Sequence, residues 1–202
     1  RYRIREQAFS RNRQLTFALV MVVILRKSMK SIQLVLNEVM EWLSVPPVTA
    51  SAFSQARYQL KHEAFIELNQ KAIVETMYGD GQYQTFWGFR LVAIDGSKFL
   101  LPDTEDVCDT FGTIAYSNGE AAEIQGERPY ALASVLYDVL NRVALDARLG
   151  RADAYEVDLA VAHLSQTRPS DLILLDRNYP SYRGIAEFVR QSRQFAIRCS
   201  AA

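Results

Sequence analysis

Asp171-Leu172-Ile173-Leu174-Leu175-Asp176 is the stretch on which the fold turns. Four aliphatic residues stand between two aspartates, too few for a helix and with no polar face, as in a strand covered on both sides. Upstream, Arg90-Leu91-Val92-Ala93-Ile94-Asp95 repeats the pattern and runs into Gly96-Ser97. Between the two, Ala131 to Gly150 alternates with period two. Ala131, Ala133, Val135, Tyr137 and Val139 share one face, Val143, Leu145, Ala147 and Leu149 another, and Asn141-Arg142 turns the chain, which predicts a hairpin. Asp153 to Leu164 returns to helical spacing through Val157, Ala160, Val161 and Leu164, and Arg168-Pro169-Ser170 ends it. A helix around Ile185, Phe188 and Val189 and a strand from Phe195 to Cys199 follow. The order β, β-hairpin, α, β, α, β predicts an α/β fold with a mixed sheet.

In that order the hairpin extends the sheet antiparallel from the first strand, and a right-handed helical crossover returns the Leu172–Asp176 strand parallel beside it. Asp95 and Asp176 then stand at adjacent strand ends on one edge, where ligands of α/β sheets gather. Two neighbouring carboxylates repel unless a cation lies between them. Hard oxygen donors select Mg²⁺ or Mn²⁺, and two such ions about 4 Å apart serve in-line displacement at phosphorus. An aspartate after an apolar strand also caps turns in many α/β proteins, so each residue alone is a weak signal. Asp138 and Asp146, mid-hairpin, are expected to point to solvent, and Glu187 is expected on a helix surface. Arg177 can touch a phosphate or form a structural ion pair.

Toward the amino terminus the period is helical. Leu15, Leu19, Val22 and Val23, then Ile32, Val35, Leu36, Val39, Met40 and Leu43, predict two helices broken near Lys27 to Lys30. Val45-Pro46-Pro47 stops the second, and Thr49 or Ser51 caps a third, Ser51 to Tyr58. Ser54, Gln55 and Arg57 on that helix can reach base edges in a helix-turn-helix manner, or the helix is a plain bundle element. A further helix, Glu63 to Met77, leads into Tyr78-Gly79-Asp80-Gly81, which predicts a boundary between a helical region, 1–80, and a catalytic region, 88–202.

The 202 residues, 49% hydrophobic and 23% charged, exclude disorder, collagen and low complexity. Cys108 and Cys199 lie far apart, and His62 and His163 lack neighbours at metal spacing, which argues against a disulfide scaffold and a zinc site. The longest apolar run, Leu15 to Leu25, has 11 residues, short of the roughly 20 of a spanning helix. No cleavage site follows it, so a cytoplasmic location is expected. The net charge of zero hides an asymmetry: residues 1–30 carry eight bases, among them Arg3, Arg5, Arg11 and Arg13, against one acid, Glu6. Such a head is a footprint for phosphate or a solvated helix face. Seven acids and no base lie between Asp103 and Glu127, where a solvated loop is expected.

Three motifs carry a family resemblance: Ala93-Ile94-Asp95-Gly96-Ser97, Ala133 to Asn141, and Leu174-Leu175-Asp176-Arg177-Asn178-Tyr179-Pro180-Ser181-Tyr182. They resemble the DDE transposases of bacterial insertion sequences, the branch named after insertion sequence four. Arg5 to Arg11 and Ser51 to Arg57 are similar to that family's amino-terminal region, so the resemblance covers nearly the whole chain. It implies an RNase H-like catalytic core in which Asp95 and Asp176 are the first two acidic ligands of catalytic Mg²⁺ or Mn²⁺. It implies double-stranded DNA as partner, both element ends and target, with a dimer on DNA. The implied reaction cuts at the ends of a mobile element and joins the freed 3′-hydroxyl to target DNA. The family's third acid, a Glu in a Tyr-x2-Arg-x3-Glu-x6-Lys pattern, has no counterpart here, since Tyr182 rather than Arg stands three places after Tyr179. Asn178 stands where the family usually has Gly.

The chain opens without Met and stops after an apolar segment, so it is expected to be a piece of a longer protein. The third acid is then expected beyond residue 202, and the piece itself is expected to be inactive. Two alternatives stand beside this one: a non-catalytic DNA-binding remnant, and a metal-dependent nuclease of the same fold.

Overall fold

The computed structural model describes residues 1–10, 14–26, 28–116 and 126–199. The chain divides into two compact units, Arg1–Ala72 and Ile73–Ala202. The division falls ahead of the Tyr78–Gly81 turn chosen from sequence, because Tyr78 belongs to the core of the second unit.

In the first unit α1 (Phe17–Leu25), α2 (Ile32–Trp42) and α3 (Ala50–Arg57) each start on a hydroxyl cap. Thr16, Ser31 and Thr49 accept from the backbone N–H groups of Leu19, Leu34 and Ala52 at 3.3, 3.4 and 3.1 Å, which satisfies donors the first helical turn leaves orphaned. Their apolar stripes meet in a core of Val20, Val23, Val35, Leu36, Val39, Met40 and Phe53. Gln33 fastens the turn before α3, donating to the Val48 carbonyl and accepting from Ala50 N–H. Thr49→Ala is expected to lower the unit's stability by about 1 kcal/mol, read from urea unfolding followed by circular dichroism. Helix α4 (Glu63–Leu68) continues through a π-helical stretch, Asn69–Val74, into α5 (Glu75–Tyr78).

The second unit is a mixed α/β structure. Its strands are β1 (Arg90–Leu100), β2 (Thr113–Tyr116), β3 (Gly126–Asp138), β4 (Val143–Arg151), β5 (Asp171–Leu175) and β6 (Gln194–Ile197). Its helices are α6 (Glu105–Phe111), α7 (Glu156–His163) and α8 (Tyr182–Arg190). The six strands form one sheet in the order β2-β3-β1-β5-β6, with β4 on β3. The hairpin pairs antiparallel with β1 and β5 runs parallel to β1. Alternate residues of β1 and β5, among them Val92, Ile94, Ile173 and Leu175, go into a core completed by Leu136, Leu145, Leu164 and Phe188.

Several expectations are corrected. Strand β1 does not stop at Asp95 but runs to Leu100, because β3 is long enough to pair it throughout. The acidic stretch is in part ordered: Glu105 and Asp106 open α6, where carboxylates complement the helix dipole, and β2 follows; residues 117–125 lie outside the described ones. Asp138 is fully buried rather than solvent-facing. It accepts from the Tyr78 hydroxyl at 2.6 Å and from the backbone N–H groups of Leu140 and Asn141, which shapes the hairpin turn. Asp146 is likewise drawn inward, toward His163.

Candidate active site

The parallel ladder between β1 and β5 pairs Arg90 with Asp171 and continues to Ala93 with Leu174. It stops two residues short of Asp95 on one strand and of Asp176 on the other. Both aspartates are exposed, at the same end of neighbouring strands. Each holds its local backbone: Asp95 Oδ1 accepts from Gly96 N–H at 2.9 Å, and Asp176 Oδ1 from Asn178 N–H at 2.8 Å. The second bond is the turn that swings the chain from β5 toward Ser181, whose hydroxyl caps α8 by accepting from Gly184 N–H.

Two groups join the pair that sequence reasoning missed. Glu156, in the first turn of α7, is half-buried, and its carboxyl lies over Gly96. A Cβ added at Gly96 would sit 3.2 Å from Glu156 Cγ, Cδ and Oε1, so the close approach depends on the missing side chain. Burial first, and then the charges of Asp176 and Asp95, hold Glu156 above the usual glutamate range, with Lys98 opposing. Tyr179, three residues after Asp176, is 2% exposed, and among the described residues its hydroxyl has no hydrogen-bond partner. Burial, and then Glu156, Asp95 and Asp176, push that hydroxyl well above the ordinary tyrosine range, so it remains a proton donor. Nothing in the sequence marks Glu156, because an acid in a first helical turn is ordinary dipole chemistry. Tyr179 sits inside the quoted motif without a role assigned to it.

The donor chemistry of the aspartate pair suits a divalent cation, since both offer hard carboxylate oxygens at the same end of neighbouring strands. As the side chains stand, no set of three or more His, Cys, Asp or Glu among the described residues is gathered into a ligating cluster. Arg177 is exposed beside Asp176. Glu187 is spoken for on α8, accepting from Arg190 and Gln191.

A second constellation has the form of a nucleophilic triad. His163 Nδ1 lies 2.9 Å from Asp146 Oδ2, and its Nε2 lies 3.1 Å from Ser134 Oγ. Ser134 and His163 are both fully buried, so no substrate carbonyl reaches the hydroxyl. The arrangement is a satisfied core histidine, and Arg148 donates to the same carboxylate at 2.8 Å.

The basic residues of the first unit separate by position. Arg5 and Gln55 line a cavity of about 990 Å³ between the amino-terminal segment and α3, together with Gln7, Gln14 and Gln59. Arg57 lies by a smaller cleft of about 230 Å³, its guanidinium 5.8 Å from the Tyr58 ring centre. Arg26 and Lys30 share that cleft, and both are paired with Glu38. Arg3 is half-buried, bridged through its backbone to Leu60, and Ser54 is half-buried in α3. Arg11 and Arg13 lie outside the described residues. Among the described residues no helix is long and apolar enough to cross a membrane.

No family model and no curated protein matches the chain. Among solved structures, a Mos1 transposase in a paired-end complex with the left transposon end is similar at a TM-score of 0.34 and 9% identity, over 92% of this chain. The chain spans 59% of that one's length.

Proposed function

We propose that the second unit is the acidic half of an RNase H-like phosphoryl-transfer site acting on DNA, in a transposase of the insertion-sequence-four type. The reading rests on one observation: the β1–β5 ladder stops two residues short of both Asp95 and Asp176, bringing two carboxylates that are 81 positions apart in sequence to one sheet edge. The three quoted motifs support it, as does a first unit carrying Arg5, Gln55 and Arg57 on accessible surface.

Asp95 and Asp176 would hold one or two divalent cations. When bound, these would polarise the phosphodiester and neutralise charge developing on its oxygens. The chain's own groups do the rest. Each aspartate is already fixed by a backbone N–H, so little side-chain freedom is lost on closing around a cation. Arg177 offers a guanidinium to a neighbouring phosphate. The first unit binds the duplex through phosphate contacts, and pairing of two copies on DNA belongs to the same reading. The family's third acid is absent from these residues, so strand transfer is not expected of the chain by itself.

Metal binding tests the reading directly. Mn²⁺ titrated into the 202-residue chain and followed by electron paramagnetic resonance is expected to bind, and Asp95→Asn or Asp176→Asn to weaken it by about tenfold or more. Equal affinity in all three proteins overturns the reading. One observation favours a non-catalytic DNA-binding role instead: the absence, among the described residues, of a gathered three-carboxylate set. In that case Mn²⁺ does not bind, while a duplex still does.

A further inference from the structure

We propose that Trp87, at the tip of the turn that leads into β1, is a stacking platform for an unpaired base of single-stranded DNA, with Arg142 as the neighbouring contact for its phosphates. The inference rests on the DNA reading given above and adds to it a strand contact apart from the aspartate pair, since Arg90 to Asp95 alone spans roughly 17 Å of β1.

Two local rules fail at Trp87. The first concerns the backbone. Phe86 and Phe89 exchange both peptide hydrogen bonds, Phe86 N–H donating at 2.8 Å and Phe89 N–H at 2.9 Å. Trp87 and Gly88 are therefore the central residues of a hairpin turn, with φ of 51° and 84°. Left-handed backbone at both positions suits Asn-Gly, whereas for a bulky side chain it is an outlier that costs stability. The second concerns burial. Trp87 is 87% exposed, although an indole is among the largest apolar surfaces a chain can bury. Neither turn geometry nor core packing selects tryptophan here, which leaves what the ring meets outside the fold.

The segment is built to hold that ring still. Tyr83 packs on the core of the second unit, edge-on to Tyr78 with ring centres 4.8 Å apart. Gln84 is clamped by the Asn141 side chain, its N–H donating to Oδ1 at 2.8 Å and its carbonyl accepting from Nδ2 at 3.0 Å. Asn141 is itself held by the buried Asp138. Phe86 stacks on the indole with centres 4.7 Å apart and planes 23° apart. A ring backed in this way loses little freedom when a flat partner covers its open side.

The surroundings suit a polyanion. Arg142 follows the clamping Asn141 in the β3–β4 turn and is exposed. Arg168, also exposed, lies with its guanidinium 5.2 Å from the Tyr78 ring centre. Asp80, the single acid between Gly79 and Arg90, is turned back on the backbone and accepts from Gln82 N–H at 2.9 Å. An aromatic ring with arginines about it holds a single strand without reading its sequence, base on ring and phosphate on guanidinium.

The test titrates the 202-residue chain into an end-labelled oligothymidylate of about 15 nucleotides and into a blunt duplex of equal length, followed by fluorescence anisotropy. Trp87→Asn is expected to weaken binding of the single strand about fivefold or more and to leave the duplex within about twofold, while Trp87→Tyr keeps most of the affinity. Without DNA, Trp87→Asn is expected to melt level with the parent or higher, since the tip then carries the pair its backbone favours. The chain has two tryptophans, so Trp42→Phe leaves Trp87 as the reporter, and its emission is expected to be quenched by the oligothymidylate. Single-strand affinity within about twofold in Trp87→Asn, or emission that does not change, overturns the inference. So does an equal loss for strand and duplex, or a Trp87→Asn protein that melts several degrees lower, since either makes the ring a part of the fold. A parent that binds duplex and no single strand overturns the inference and leaves the DNA reading standing; one that binds neither overturns both. Self-association that Trp87→Asn abolishes, with oligothymidylate binding unchanged, makes the tip a protein contact and overturns the inference as well.

Discussion

Asp171→Ala is expected to destabilise the second unit by about 3–5 kcal/mol, the cost of breaking a buried ion pair from one side. Asp171 and Arg90 pair across the β1–β5 ladder, with Arg90 Nε on Oδ1 at 2.8 Å and Nη2 on Oδ2 at 2.7 Å. Their side chains are 0% and 3% exposed. Oδ2 also accepts from Arg168 N–H at 2.7 Å, and the Arg90 guanidinium stacks 4.9 Å from the centre of the Tyr78 ring. Removing the carboxylate leaves a guanidinium that cannot lose its proton inside a sealed core. Urea unfolding followed by far-ultraviolet circular dichroism measures the loss, and a change under about 1 kcal/mol contradicts it. The converse holds for Arg90→Met combined with Asp171→Leu, which removes both charges. That double variant is expected to recover most of the stability lost by Asp171→Ala, because the penalty lies in the unpaired charge rather than in the missing attraction.

The second large effect concerns the buried histidine. His163→Ala leaves the Ser134 hydroxyl without its partner at 3.1 Å and Asp146 without the one at 2.9 Å, and opens a cavity where the ring was. The orphaned polar groups cost about 1–3 kcal/mol, with a cavity term in addition. The loss depends on pH. Asp146 is held below its ordinary value of 3.8: burial works against this, and the His163 hydrogen bond and the Arg148 charge overcome it. A carboxyl with a lowered folded value adds stability above its unfolded value and gives it up as pH falls through the folded one. The difference between parent and His163→Ala is therefore expected to be largest near neutrality and to shrink in acid below the ordinary aspartate range to the part left by the cavity and the Ser134 hydroxyl. Parallel curves down to that range contradict the assignment.

How much of this was legible follows from where the covering residues come from. Strands β1 and β5 announce themselves, since a short aliphatic run between aspartates has few other readings, and their parallel pairing follows from the crossover rule. The hairpin is equally plain in its period. The environments of Asp138 and Asp146 are not, because alternation assigns a residue to a face without saying what lies on that face. Tyr78 arrives over Asp138 from 60 positions upstream, and His163 arrives beneath Asp146 from α7. Glu156 is hidden for the same reason: what marks it is its close approach to Gly96, which has no signature in spacing. In the first unit the helices were readable from caps and stripes. The division of Gln55 and Arg57 between two clefts was not, since it depends on how α1 and the amino-terminal segment flank α3.

Strand β1 outlasts its parallel neighbour. Beyond Ala93 the described residues give it hydrogen-bonding company on the β3 side alone, as far as Leu100. On that overhang the Gly96 N–H is taken by the Asp95 carboxylate, while past it Phe99 and Leu100 are exposed, the kind of margin onto which a foreign strand can zip. Lys98 stands there as a gatekeeper, a solvated cation that would have to be desolvated or crowded by any strand docking alongside.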